Sequence, residues 1–175
     1  GFLYVEDGVP IYDRIDTSFG VAPDPASIET IQVLTGYIPA EFGLKSGAVI
    51  EVQTTMPKNS KWLANLDFGF GSDHLQSLRS TASGPLGKNL SLGVSVVTER
   101  SQRFLDPVHP KNFHNKGNVL SGNIKFSLPV LSNNLIRLNL NNGRLRYQVP
   151  HGQVQEASAQ NQRQRLAQNS QSLSW

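Results

Sequence analysis

The chain has 175 residues, 38% of them hydrophobic and 17% charged, against roughly 45–50% and 25% in soluble globular domains. It has no Cys, which excludes a disulfide framework, a thiolate metal site and a Cys nucleophile. The net charge of +3 is small and the basic residues are scattered, with Arg163 and Arg165 forming one local pair, so no nucleic-acid partner is expected. Apolar runs are only a few residues long, which excludes a membrane-spanning helix but not a membrane β-barrel, whose strands are half apolar.

Two regions with different patterning follow one another, 1–58 and 59–175. The first opens on Gly1-Phe2-Leu3-Tyr4, with no basic segment and no apolar leader, so an internal piece or a processed start is expected. Leu3, Val5, Val9 and Ile11 flank Asp7-Gly8, a strong two-residue hairpin signal because a type I′ turn needs positive φ at both central residues. Asp24-Pro25-Ala26-Ser27 could begin a helical turn. Ile31 and Val33 alternate with Thr30 and Gln32, suiting a strand that ends at Gly36, while Ile28, Ile31 and Leu34 fit a helix equally well. Tyr37 to Ala48, with Pro39, Gly43 and Gly47, reads as an irregular loop. Val49, Ile50 and Val52 form a short strand stopped by Pro57.

From Trp62 onward the period is two. Trp62, Ala64, Leu66, Phe68 and Phe70 share one face; Leu63, Asn65, Asp67, Gly69 and Gly71 share the other. A weaker strand covers Leu75 to Gly84. Leu90 to Val97, Leu120 to Leu128 and Ile136 to Asn141 repeat the alternation. Each is about ten residues, the length a tilted strand needs to cross a bilayer. The connections near Gly84-Pro85-Leu86-Gly87 and from Pro129 to Asn134 are short; those from Ser101 to Asn118 and from Gln148 onward are long, and the one at Ser72 to His74 is short. Mostly long loops on one side and short turns on the other is an outer-membrane barrel layout. Five strands are expected, with a sixth starting near Ser172; Gln153 to Ser174 is expected to be a polar, solvated loop.

Features that could carry chemistry are weak. His109, His114 and Asp106 lack metal-ligand spacing on a helix and have no evident third ligand. Gly69-Phe70-Gly71 lacks the rest of a dinucleotide fingerprint, and no nucleophile elbow or phosphate loop occurs. Glu6, Asp7, Asp13 and Asp16 lack the alternation of a calcium loop. Neither catalytic residues, a cofactor nor a metal is therefore expected. Arg137, Asn139, Asn141, Lys125 and Asn65 fall on the polar strand face, which in a barrel would meet water or a plug.

Three ordered stretches carry a resemblance. Gly1-Phe2-Leu3-Tyr4-Val5-Glu6-Asp7-Gly8-Val9-Pro10-Ile11 resembles the plug segment of TonB-dependent outer-membrane receptors. So does Ser27-Ile28-Glu29-Thr30-Ile31-Gln32-Val33-Leu34-Thr35-Gly36. Pro39-Ala40-Glu41-Phe42-Gly43 followed by Ser46-Gly47-Ala48-Val49-Ile50 is similar to the end of that plug. Asp7, Gly8, Ile28, Glu29, Val33, Gly36, Gly43 and Gly47 are the matching motif positions. Downstream, Ser83-Gly84-Pro85-Leu86 and Arg103-Phe104-Leu105-Asp106-Pro107 are similar to a turn and an outer loop of the receptors with carboxypeptidase-like N-terminal extensions. Gly47-Ala48 stands where the family often has two glycines, and Glu51 where it usually has Asn.

The resemblance implies a mainly β fold: a transmembrane antiparallel β-barrel, here partial at about five strands, preceded by part of an α+β plug domain. It also implies energised uptake of an iron chelate, carbohydrate or peptide across the bacterial outer membrane, with the inner-membrane TonB complex as partner through a segment expected N-terminal to Gly1. A family barrel has about 22 strands and the smallest outer-membrane barrels about eight, so the chain is expected to be a piece of a longer protein. The competing classes are a secreted β-rich adhesion or carbohydrate-binding module and, with no constellation behind it, a hydrolase using Asp and His.

Overall fold

The computed structural model describes residues 3–10, 28–36, 38–42, 47–54, 61–130 and 134–175. The chain divides into two units, Gly1–Met56 and Pro57–Trp175.

The first unit is a four-stranded mixed sheet built from β1 (Leu3–Glu6), β2 (Val9–Pro10), β3 (Ile28–Thr35) and β4 (Ala48–Thr54), in the order β2-β1-β4-β3. β1 and β2 are antiparallel, with Glu6 opposite Val9. Asp7 at φ 49° and Gly8 at φ 82° make the two-residue turn between them, as a type I′ hairpin requires. β1 runs parallel to β4, and β3 antiparallel to it. Leu3, Val5 and Val49 form the buried core, with Leu34, Ile38 and Phe42 packed against it. β-branched Val49 and Val52, both fully buried on the central strand, suit that pleated position. A 3-10 turn at Ala40–Phe42 lies between β3 and β4 in the sequence.

β3 settles the ambiguity at Ile28–Leu34 in favour of a strand, with Gly36 in the left-handed region just beyond it at φ 83°. The faces differ from the apolar alternation, however. Ile31 and Val33 are more than half exposed, and it is Leu34, of opposite parity, that reaches the core. As an edge strand, β3 takes its place from the ladder to β4 rather than from two buried side chains. The helical turn expected at Asp24–Ser27, and Ile11, Asp13 and Asp16, lie outside the described residues.

The second unit is a six-stranded antiparallel meander of β5 (Leu63–Phe70), β6 (Gln76–Pro85), β7 (Ser91–Ser101), β8 (Gly117–Val130), β9 (Asn134–Gln148) and β10 (Arg163–Ser174). Each strand pairs with its sequence neighbour, and the sheet is open, with β5 and β10 as edges. The connections at 71–75, 102–116 and 149–162 gather at one end; the connection at 86–90 and the paired strand ends Val130 and Asn134 lie at the other.

One expectation is corrected here. Gln153 to Ser174 is not a loop: it holds a short helix, α1 (Gln153–Ala157), and the whole of β10, which pairs with β9 from Arg163↔Gln148 to Ser174↔Arg137. The sixth strand therefore starts at Arg163, not near Ser172. The backbone ladder to a long neighbour makes this strand, and its Gln, Asn and Ser side chains carry little hydrophobic periodicity by which to read it.

Candidate functional site

The motif positions of the first unit have distinct structural duties. The Asp7 carboxylate accepts the Thr54 backbone N–H at 2.9 Å and the Thr54 hydroxyl, while the Asp7 N–H donates to the Val52 carbonyl at 2.9 Å. Gly8 supplies the positive φ beside it. Ile28 is half-buried opposite Thr54, Glu29 and Val33 are exposed on β3, and Gly36 ends that strand. Gly47 is exposed immediately before β4. Gly43 lies outside the described residues.

Register partners share a face, so the second sheet can be read row by row. One face carries Trp62, Gly84, Leu92, Phe126, Leu138 and Leu173 along one row, then Ala64, Ala82, Val94, Ile124, Leu140 and Gln171. Next come Leu66, Ser80, Val96, Gly122, Asn142 and Asn169, then Phe68, Leu78, Thr98, Leu120, Arg144 and Ala167. Phe70, Gln76, Arg100, Asn118, Arg146 and Arg165 form the last. The apolar band is oblique: it reaches Phe70 on β5 but stops at Leu140 on β9, in the row of Ala64. Between its two ends, Phe70 on β5 and Leu140 on β9, that retreat averages about 1.5 residues a step over four steps, with Leu120 on β8 standing outside it; at ~3.3 Å per residue and ~4.8 Å between strands the average slope is about 45°. The band is open to its surroundings, with Phe68 64% and Phe70 79% exposed.

The opposite face is polar. Lys125, Ser127 and Asn139 are buried on it. Asn123 Nδ2 donates to Asn139 Oδ1 at 2.7 Å and to Asn141 Oδ1, and Asn141 Nδ2 donates to Ser170 Oγ at 3.2 Å. Tyr147 donates its hydroxyl to Gln164 Oε1 at 2.6 Å. Of the residues predicted for this face, Asn65, Lys125, Asn139 and Asn141 lie in adjacent rows, with Arg137 towards the short-turn end.

The two long connections are ordered and tied together. Asn115, 1% exposed, accepts the Leu105 N–H at 2.8 Å and donates to the Leu105 carbonyl at 2.6 Å and Asn112 Oδ1 at 2.7 Å. Phe104 lies over Gly117, where a Cβ would collide with its ring, and stacks on Tyr147 with centroids 6.1 Å apart. His114 and His151, one from each connection, stack at 4.8 Å with their planes 5° apart. His114 Nε2 donates to the Gln162 carbonyl at 2.8 Å, and His151 Nε2 lies 2.6 Å from a Glu156 carboxylate oxygen. Asp106, His109 and His114 are not brought together: His109 stacks on Phe113 instead. Among the described residues no group of three or more His, Asp and Glu could hold a metal ion.

At the same end of the sheet lies an open cavity of about 1120 Å³ whose lining includes His74, Arg100, Lys116, Arg146, Arg163 and Arg165. No Asp or Glu lines it among the described residues. Sequence reasoning noted the local pair Arg163 and Arg165 but not the cluster, which also draws in Arg100, Lys116 and Arg146 from other strands and loops. It also missed Asn115, which nothing in the sequence marks out from the other asparagines. Among known proteins, the sequence matches no family model and no curated protein.

Proposed function

We propose that this chain forms part of a TonB-dependent outer-membrane receptor, the first unit belonging to its plug and the second supplying strands of its barrel. One observation carries the reading: the oblique apolar band. A soluble two-sided sheet buries its apolar side under a second layer, and the described residues place none on Leu66, Phe68, Phe70 and Leu120. In a membrane barrel the strands tilt by about 35–45°, so a lipid band of constant height must cross the register diagonally. The slope of about 45° is the one such tilt produces. The polar face then lines the lumen and the paired long loops face outward. In lipid, unpaired edge groups cost several kcal/mol each, so this reading needs β5 and β10 to be continued by further strands.

Transport through such an object involves no covalent step. Ligand, an iron chelate, carbohydrate or peptide, binds on the loop side; energy from the inner-membrane TonB complex displaces the plug. The test is fractionation of the full-length protein after expression with an export signal. Recovery from the outer membrane only in detergent, with a heat-modifiable band on gels, is the expected result. A monodisperse protein soluble without detergent would overturn the reading and favour an adhesion or carbohydrate-binding module.

A further inference from the structure

The open cavity of about 1120 Å³ at the loop end is lined by five cations, Arg100, Lys116, Arg146, Arg163 and Arg165, and by no carboxylate among the described residues. Strand register builds it. Arg100, Asn118, Arg146 and Arg165 form one row, with Arg146 directly opposite Arg165. Arg163, two residues before Arg165 on β10, points to the same face. Like charges facing each other across a ladder are destabilising. The hydrogen bonds that two of these side chains make go to neutral amides: Arg100 donates from Nε to Gln76 Oε1 at 3.0 Å, and Arg163 to Asn161 Oδ1 at 2.8 Å. All the cations are exposed.

We propose that this cavity binds a water-soluble sugar or polyol carrying two phosphate groups. Charge sets the number: two phosphate monoesters bring about −3 to −4 at neutral pH, against five cations in the lining. Guanidinium forks suit phosphate oxygens, to which they donate two parallel N–H bonds. Arg146 and Arg165 stand one strand spacing apart, ~4.8 Å, so both can reach one phosphate; Arg100 lies two spacings beyond Arg146, ~10 Å, and serves a second. Thr98, Gln102 and Asn118 in the same lining supply neutral donors and acceptors for hydroxyls. The row beneath the charges is Thr98, Leu120, Arg144 and Ala167. Its one large apolar side chain, Leu120, is too little to seat acyl chains, so the ligand is free and not a lipid headgroup. On β9 the apolar band ends at Leu140, three rows before Arg146. The site therefore belongs to water, and the proposal stands whether or not the band meets lipid.

The experiment titrates fructose bisphosphate, fructose monophosphate and fructose into the full-length protein in dodecyl maltoside, followed by calorimetry. The bisphosphate should bind about ten- to a hundredfold more tightly than the monophosphate, the worth of one charge-assisted contact, and fructose should give no heat. The triple variant Arg100→Gln, Arg146→Gln, Arg165→Gln should lose that preference, while Arg137→Gln, at the far end of the other face, should behave as wild type. Should the triple variant fail to assemble, Arg146→Gln alone should weaken the bisphosphate about tenfold. Equal affinity for the two phosphates, or unchanged affinity in Arg146→Gln, overturns the site. Tighter binding of dioleoyl phosphatidic acid in the same micelles than of the bisphosphate overturns the free ligand and makes it a lipid. A protein soluble without detergent sinks the receptor reading and leaves this titration, run in buffer alone, with the same expected result.

Discussion

Asp7 and Thr54, 47 residues apart in sequence, close the end of the first sheet on each other. The hairpin turn that Asp7 begins holds the last residue of β4 through its N–H and its hydroxyl, and Asp7 returns its own N–H to Val52. The residue thus has two duties, a left-handed backbone at φ 49° and a carboxylate for β4. Asp and Asn tolerate that backbone far better than Ala. Asp7→Ala should therefore lower the stability of this unit by about 1–3 kcal/mol, and Asp7→Asn by less. Amide exchange at Thr54 reads the effect: unchanged protection in Asp7→Ala would refute the clamp.

Tyr4 gives the first unit a predicted alkaline limit. Burial, and secondarily the Glu6 carboxylate, hold its phenol above the ordinary value of 10.0. The folded state therefore binds the phenolic proton more tightly than the unfolded state. Its contribution to stability is intact below about pH 10 and is lost as pH rises through the folded value. Tyr4→Phe should flatten that decline, measured as denaturation midpoint against pH between roughly 9 and 11.5. An identical slope in both proteins would remove Tyr4 as its cause.

Asn115 should behave as the keystone of the connection 102–116. Its amide meets both polar groups of Leu105 and the side chain of Asn112. Asn115→Ala leaves the Leu105 groups without a partner, a cost of about 2–3 kcal/mol. Asn115→Asp keeps the acceptor but sets oxygen against the Leu105 carbonyl and Asn112 Oδ1, so it should open the loop too. Limited proteolysis between residues 102 and 116 should rise in both variants. Equal resistance of Asn115→Asp and wild type would show that the two donated bonds hold nothing.

What was legible in the sequence follows from where side chains alone dictate structure. Asp7-Gly8 announces its turn because few residues accept two successive positive φ angles. The period-two runs from Trp62 to Leu140 announce five strands because one face is apolar and the other is not. β10 was hidden for the opposite reason: only Leu166, Ala167 and Leu173 break its polar run, and it is a strand through its ladder to β9. The facing of β3 was misleading because an edge strand can leave Ile31 and Val33 exposed. The cationic cavity depends on register, which sets Arg146 opposite Arg165 and brings Arg100 into their row; no local pattern contains that alignment.

The facing of β5 makes the sharpest test of the membrane reading. Leu66 and Phe68 lie on the apolar face in rows with Ser80 and Leu78, and Asn65 lies on the polar face opposite Thr81. If the apolar face meets lipid, Leu66→Arg or Phe68→Arg in the full-length protein sets a charge in the hydrocarbon, costing about 2–4 kcal/mol near the midplane. Asn65→Arg sets the same charge among Asp67, Arg79 and water, and should cost a fraction of that. Urea titration of the protein folded in phosphatidylcholine vesicles measures both. A soluble sheet covered by a second layer would also resent Arg at Leu66, so the vesicle is essential: there the charge must cost more in thick bilayers, where it sits deeper, than in thin ones. A penalty independent of bilayer thickness, or equal for Asn65→Arg and Leu66→Arg, would mean that this face does not meet lipid.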